Sequence, residues 1–149
     1  MRRKAKRRPP KNVPNGFTGS QEDWVCLEAP LQGIDEALSA FARSAGLTVT
    51  SNYHNWPSRS LQWSSHGLSR LIQIYLTKPE TGTYDLWICA SEDREHGRFW
   101  KQKHLRSAAR LEDIKADLAD LLREAYETVE AWKSNELEFA TPLKKPASR

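Results

Sequence analysis

Two runs of alternating apolar residues, joined by a turn, constrain the fold of this chain more than any other feature. The runs span Leu68 to Thr77 and Tyr84 to Ala90, and Pro79 to Gly82 between them has the composition of a turn. Apolar residues at every second position indicate strands with one buried face, so the pair predicts an antiparallel hairpin. The side chains expected on the buried face are Ile72, Ile74, Leu76, Tyr84, Leu86 and Ile88.

Weaker patterns extend this hairpin into a meander between two helices. Apolar residues at spacings of three and four predict an N-terminal helix from Leu31 to Ala45 and a long C-terminal helix from Ser107 to Lys133. Shorter strands are predicted at Leu47–Thr50, Ser60–Ser64 and Arg98–His104. The sequence therefore predicts a two-layer α+β fold, in which an antiparallel meander of about four to five strands is flanked by the two helices.

The start of the chain is strongly basic, whereas the rest of the chain is acidic. The chain has 149 residues and a net charge of +4, but residues 1–11 hold seven Lys or Arg and no acid. The rest of the chain has 16 basic residues against 19 acidic ones, so it is acidic. Residues 1–20 have almost no apolar side chain to offset the entropy of ordering, which predicts a disordered basic arm. A single α+β domain is predicted over residues 21–140, and a C-terminal tail over residues 141–149.

The basic arm, residues 1–20, is the clearest functional signal. Clustered cations attract phosphates, and the release of counterions makes such binding strong at low salt and weak at high salt. Nucleic acid or another polyanion is therefore the predicted partner. The alternatives are a solubility or targeting tail, or an arm that folds against the acidic part of its own chain. The predicted contact residues are Arg2, Arg3, Lys4, Lys6, Arg7, Arg8 and Lys11.

A second signal is the face of the sheet opposite the predicted core. Side chains alternate along a strand, so Tyr75, Trp87, Arg98 and Trp100 are expected to share that face. If the face is open, such rings can stack unpaired bases or sugars. If it is covered, they pack under a loop, under a second subunit or in the core, because large aromatic residues dominate cores and interfaces alike. We expect at least one of the two indoles to be partly exposed.

The predicted C-terminal helix supplies an alternative function. Between Glu112 and Glu138 there are nine acidic residues against three basic ones, so its outward face carries most of the negative charge of the body. That face repels phosphate and favours a protein partner. The runner-up hypothesis is therefore a protein-interaction module, an inhibitor or antitoxin-like partner, that acts through the acidic helix or the Trp-rich sheet face. A homodimer is one way to cover that face.

No motif in the sequence argues for an enzyme. The four histidines lack the spacing of a helical metal pair, and neither a phosphate-binding loop nor a nucleophile elbow is present. The segment Glu92 to Gly97 holds acids and a histidine, the ingredients of acid–base chemistry, but its composition is more typical of a solvated hairpin loop. We expect no cofactor and no metal. Two distant cysteines, no secretory signal and no membrane span predict a cytoplasmic protein.

Overall fold

Over residues 21–51 and 57–143, six antiparallel strands follow one another in chain order across a single sheet. These are the residues that the structure, a computed structural model, describes. The predicted α+β fold with an antiparallel meander is confirmed, but the predicted count of four to five strands is wrong. The strands are β1 (Thr48–Ser51), β2 (Ser58–Ser65), β3 (Leu68–Lys78), β4 (Thr83–Arg94), β5 (Gly97–Arg110) and β6 (Glu138–Pro142).

The strand that sequence analysis missed is β6, which pairs antiparallel with β5 at the edge of the sheet. Its five residues are half-buried at most, and Phe139 is 57% exposed. A short exposed edge strand has no buried face to generate an alternating pattern, and it ends in Pro142, as edge strands tolerate. This strand crosses residue 140, where the sequence placed the end of the domain.

The helices precede and follow the strands that they cover. The N-terminal helical region continues through a 3₁₀ turn (Ala29–Ile34), where sequence analysis expected one helix from Leu31. Gly46 ends it at φ 73°, a left-handed conformation that glycine adopts without strain. The regular helices are α1 (Gln21–Glu28), α2 (Asp35–Ala45), α3 (Leu111–Ala116) and α4 (Leu118–Ala131).

The predicted long C-terminal helix is shorter than expected and is interrupted. It begins at Leu111 instead of Ser107, because β5 continues to Arg110. Asp117 leaves helical geometry, at φ −109° and ψ 17°, and divides α3 from α4. The break keeps the apolar side chains of both pieces on the sheet, where Ile114 and Leu118 are buried.

Tight turns between β2 and β3 and between β4 and β5 fix the register of these strands. Between β2 and β3, His66 and Gly67 both have positive φ, at 51° and 79°, as a two-residue turn of type I′ requires. Leu61 therefore pairs with Ile72, and Ile72 pairs with Ile88. These three side chains lie on one face, as the alternation predicted.

All the described helices pack on that same face, which we call the inner face of the sheet. One apolar core joins them to it, with Leu38 from α2, Ile72 from β3, Ile114 from α3 and Leu122 from α4 almost fully buried. Two buried arginines reach from the strands to the helices. Arg59 bonds to Glu28 and Asp35, while Arg70 bonds to the last carbonyls of α4. None of the helices that the structure describes packs on the opposite, outer face.

Candidate binding groove on the outer face

A groove of about 610 Å³ lies on the outer face, within the range of roughly 300–1,000 Å³ that ligand pockets occupy. Strands β1 to β5 contribute to it. Indole, hydroxyl, amide and guanidinium groups line it, so the groove is amphipathic. Its lining residues are Thr48, Gln62, Trp63, Ser64, Ser69, Arg70, Leu71, Trp87, Cys89, Ser91, Arg98 and Trp100. Among them, the side chains of Trp63 and Arg70 bond on the inner face, to Glu130 and to the Trp132 carbonyl.

A ladder of hydrogen bonds across three strands fixes the orientation of the Trp87 ring. The indole Nε1–H of Trp87 donates to Oε1 of Gln73 at 2.7 Å, and Nε2 of Gln73 donates to the Ser60 hydroxyl at 3.0 Å. Gln73 and Ser60 are buried, so each polar group has a partner where it has lost water. The ring of His104 stacks on Trp87, with centroids 6.0 Å apart and planes at 22°.

A buried carboxylate lies at one end of the outer face. Asp85 is 9% exposed and accepts a hydrogen bond from the backbone N–H of Ala108 at 2.7 Å and one from the Tyr75 hydroxyl at 3.4 Å. Nε2 of His104 lies 3.3 Å from the same carboxylate. Burial, together with the charge of Asp85, raises the pKa of the Tyr75 hydroxyl. Tyr75 is thus held by Asp85 away from the groove.

The thiol of Cys89 lines the groove and is unreactive as a nucleophile at neutral pH. Cys89 is 7% exposed, and burial raises its thiol pKa to about 11, although nearby Arg98 opposes the shift. The thiolate is the nucleophilic form of cysteine. At neutral pH the group is therefore a protonated, weakly polar part of the lining.

Arg98 stands beside Trp100 on the outer face of β5. Its guanidinium bonds to both oxygens of Asp93, at 2.7 and 3.3 Å, and both side chains are about half exposed. This bond lowers the pKa of the Asp93 carboxyl, which stays ionised. Trp100 itself is half-buried, as is Trp87.

The segment from Glu92 to Gly97 is built from strand ends and a two-residue turn, since Arg94 pairs with Gly97. Oε1 of Glu92 accepts hydrogen bonds from the Ser134 hydroxyl at 2.5 Å and from Arg94 at 3.3 Å. These hydrogen bonds lower the pKa of the Glu92 carboxyl, and the bond from Ser134 has the largest effect. Glu92 and Arg94, which both bond to Ser134, thus join the hairpin to the C-terminal part of the chain.

The structure brings together three of the four residues predicted for the aromatic face. Trp87, Arg98 and Trp100 line the groove, and Tyr75 shares their face but bonds to Asp85. Their role in binding stays a prediction. The seven basic residues of the arm and His54 lie outside the described residues.

Sequence analysis placed Gln73 on this face, but it did not single out Gln62 and gave Cys89 no place in a site. Each occupies an outward position of a predicted strand, so alternation was the signal for all three. The hydrogen bond from the backbone N–H of Ala108 to Asp85 could not be predicted from any such alternation. It depends on a register shift in β5 and on a positive φ of 49° at Ala108.

Over residues 21–51 and 57–143, no cluster of three or more His, Cys, Asp or Glu side chains could hold a metal ion. Within that same part of the chain, no helix is both long and apolar enough to cross a membrane. Comparisons of the chain with protein-family models, with curated proteins and with solved structures each find no match.

Proposed function

We propose that this protein is a small non-enzymatic binding module that associates with nucleic acid across the groove, while the basic arm adds phosphate contacts. The observation that carries the proposal is the pair Trp87 and Trp100, both half-buried on a face that no described helix covers. Aromatic rings that stay partly exposed on a sheet face are platforms for stacking bases. Arg98, two residues before Trp100, supplies a guanidinium of the kind that pairs with phosphate.

The charge distribution supports this assignment of roles. The outward carboxylates of α3 and α4 repel phosphate, and Arg98 already shares its charge with Asp93. Long-range attraction to a polyanion must therefore come from the arm, with seven cations in its first eleven residues. In this scheme the arm captures the polymer and the groove holds part of it.

Three titratable groups on or beside the groove are in states that suit a binding role. The raised pKa of Cys89, about 11, leaves the groove thiol protonated at neutral pH. The lowered pKa values of Glu92 and Asp93 leave these carboxylates ionised and bonded to Ser134 and Arg98. None of the three is poised to transfer a proton near pH 7.

The test is the binding of a labelled oligonucleotide by the whole chain, measured by fluorescence anisotropy over a range of salt concentrations. In the variant, all seven basic residues of the arm are replaced by Gln. We expect weaker binding and a shallower plot of log affinity against log salt, by roughly 0.7 to 0.9 for each phosphate that the arm no longer neutralises. In the control, Lys115→Gln and Lys133→Gln remove exposed cations of the fold. Unchanged affinity and slope in the arm variant would contradict the assigned role.

A protein partner is the second candidate function, and one observation favours it. The described carboxylates on the outward side of α3 and α4 form an exposed acidic surface, and Arg110 and Arg123 neutralise part of it. Its exposed members are Glu112, Asp113, Asp117, Asp120, Glu124 and Glu127.

The two candidates predict different behaviour in a co-purification experiment. A nucleic-acid complex should disappear after nuclease treatment and after neutralisation of the arm. A protein complex should survive both, and should be lost when Glu124→Lys and Glu127→Lys reverse the charge of the acidic surface.

A further inference from the structure

Trp87 presents a restricted surface to any ligand. The only hydrogen-bond donor of its side chain, the indole N–H, is already bonded to Gln73 at 2.7 Å. One face of its ring lies against His104. What Trp87 can offer in the groove is therefore apolar ring surface, and recognition there has to be by stacking.

The indoles of Trp87 and Trp100 are too far apart to contact one base together. Trp87 is opposite His104 in the register of β4 and β5, and Trp100 is opposite Ser91. Four residues therefore separate the two positions, which is about 13 Å at roughly 3.3 Å of rise per residue. A ligand that uses both rings must be extended and must carry more than one flat group.

Charge complementarity narrows the class of that ligand. Arg98 lies on the same face as Trp100, two residues nearer the start of β5. Its guanidinium is held by Asp93 at the surface, where a phosphate can compete for it. The arm adds seven cations. An extended polymer with flat groups and regularly spaced anions satisfies both the rings and the cations.

We propose that the groove selects single-stranded nucleic acid, with unpaired bases of one extended strand stacked on Trp87 and Trp100. This inference rests on the proposed function and assigns its substrate class. A duplex cannot bind in this way, because its base faces are covered by the neighbouring bases of the stack. Since stacking uses the ring face that every base has, the site tolerates many sequences.

The first experiment compares two forms of one oligonucleotide on the unaltered chain. We use a mixed-sequence single strand of about a dozen nucleotides, within the roughly 4–16 nucleotides of known single-strand sites, and the duplex formed with its complement. We expect tighter binding of the single strand and quenching of tryptophan fluorescence by it. A mononucleotide should bind far more weakly, because it cannot reach both rings. Equal affinity for strand and duplex would overturn the inference.

The second experiment removes one ring at a time. Trp87→Ala and Trp100→Ala should each weaken binding of the single strand by about 5- to 150-fold, and should leave binding of the duplex through the arm unchanged. Trp100→Phe, which keeps an aromatic face, should retain much of the affinity. Phe139→Ala, which removes an exposed ring of β6, is the control and should bind like the unaltered chain. Circular dichroism verifies that each variant is folded.

The outcomes separate this inference from the proposed function. If the chain binds strand and duplex equally and the tryptophan variants bind unchanged, the inference and the groove's part in the proposed function are wrong, while nucleic-acid binding through the arm stands. If neither form binds at low salt, both are wrong. If polyglutamate, a polyanion without bases, binds with the same dependence on Trp100, the groove takes acidic peptides and the inference is overturned.

Discussion

On the inner face of the sheet, the buried polar side chains bond to helices, whereas on the outer face they bond to neighbouring strands. Arg59 and Arg70 join β2 and β3 to the helical layer. Gln73 and Asp85 find their partners within the sheet itself. The polar groups of the outer face, on which no helix of the described residues packs, are therefore satisfied from strand to strand.

The sharpest test of this comparison is Arg59→Met on the inner face. It leaves Glu28, which is 6% exposed, as a buried carboxylate without its cation. Breaking a buried ion pair in this way costs about 3–5 kcal/mol, so we expect a loss of that size in the free energy of unfolding from urea melts. Adding Glu28→Gln should recover part of it, since the uncompensated charge is gone. A cost below about 1 kcal/mol would show that the pair does not join the layers.

Two neighbouring residues of β3, one on each face of the sheet, allow the faces to be compared directly. Ile72 points into the core and is 1% exposed, whereas Leu71 points to the groove and is half-buried. Ile72→Ala should cost about 2–5 kcal/mol of unfolding free energy, because it leaves a cavity. Leu71→Ala should cost about 1 kcal/mol, since its side chain gives up only part of its contact with water on folding. If the two variants lost similar amounts of unfolding free energy in thermal or urea melts, apolar side chains on both faces would contribute equally to stability.

The inner face could be predicted from the sequence, and much of the outer face could not. Ile72 and Ile88 belong to an alternating pattern that one buried face imposes, so local sequence carried the information. The bond from Ala108 to Asp85 joins residues 23 positions apart through an irregular stretch of β5. No periodic pattern records such a contact. For the same reason, the positions of Trp87 and Trp100 were predictable from alternation, but the bond that orients Trp87 was not.

The hydrogen bond that orients Trp87 provides the next test. Trp87→Phe keeps a ring but removes the N–H that bonds to Oε1 of Gln73, which is buried. An unsatisfied buried acceptor costs about 1–3 kcal/mol, and we expect this loss in urea melts. Trp100→Phe is the matched control, because β5 does not neighbour β3 and its ring lies outside this ladder. Equal losses for the two variants would indicate a general packing effect instead of the Gln73 bond.

The smallest expected effect is the pH dependence of Glu130, the carboxylate at which α4 meets β2. Its oxygens accept hydrogen bonds from Ser65 at 2.8 Å and from the Trp63 indole at 3.0 Å. Partial burial opposes ionisation, but these bonds and the charge of Arg70 outweigh it and hold the pKa of Glu130 below its ordinary value near 4.5. Between the lowered and the ordinary pKa the unfolded chain binds more protons than the folded one, so stability decreases as the pH is lowered.

We therefore expect the contribution of the Glu130 carboxylate to the free energy of unfolding to be complete above about pH 4.5. It should be lost as the pH falls through the lowered pKa. Urea melts of the unaltered chain and of Glu130→Gln, taken from roughly pH 3 to pH 7, measure it. The variant should be less stable near pH 7, and its stability should fall less steeply in acid. Glu127→Gln removes an exposed carboxylate of the same helix and controls for the loss of a charge. If Glu130→Gln kept the acid slope of the unaltered chain, the carboxylate would not join α4 to the inner face, and Arg70 with the α4 carbonyls would carry that contact without it.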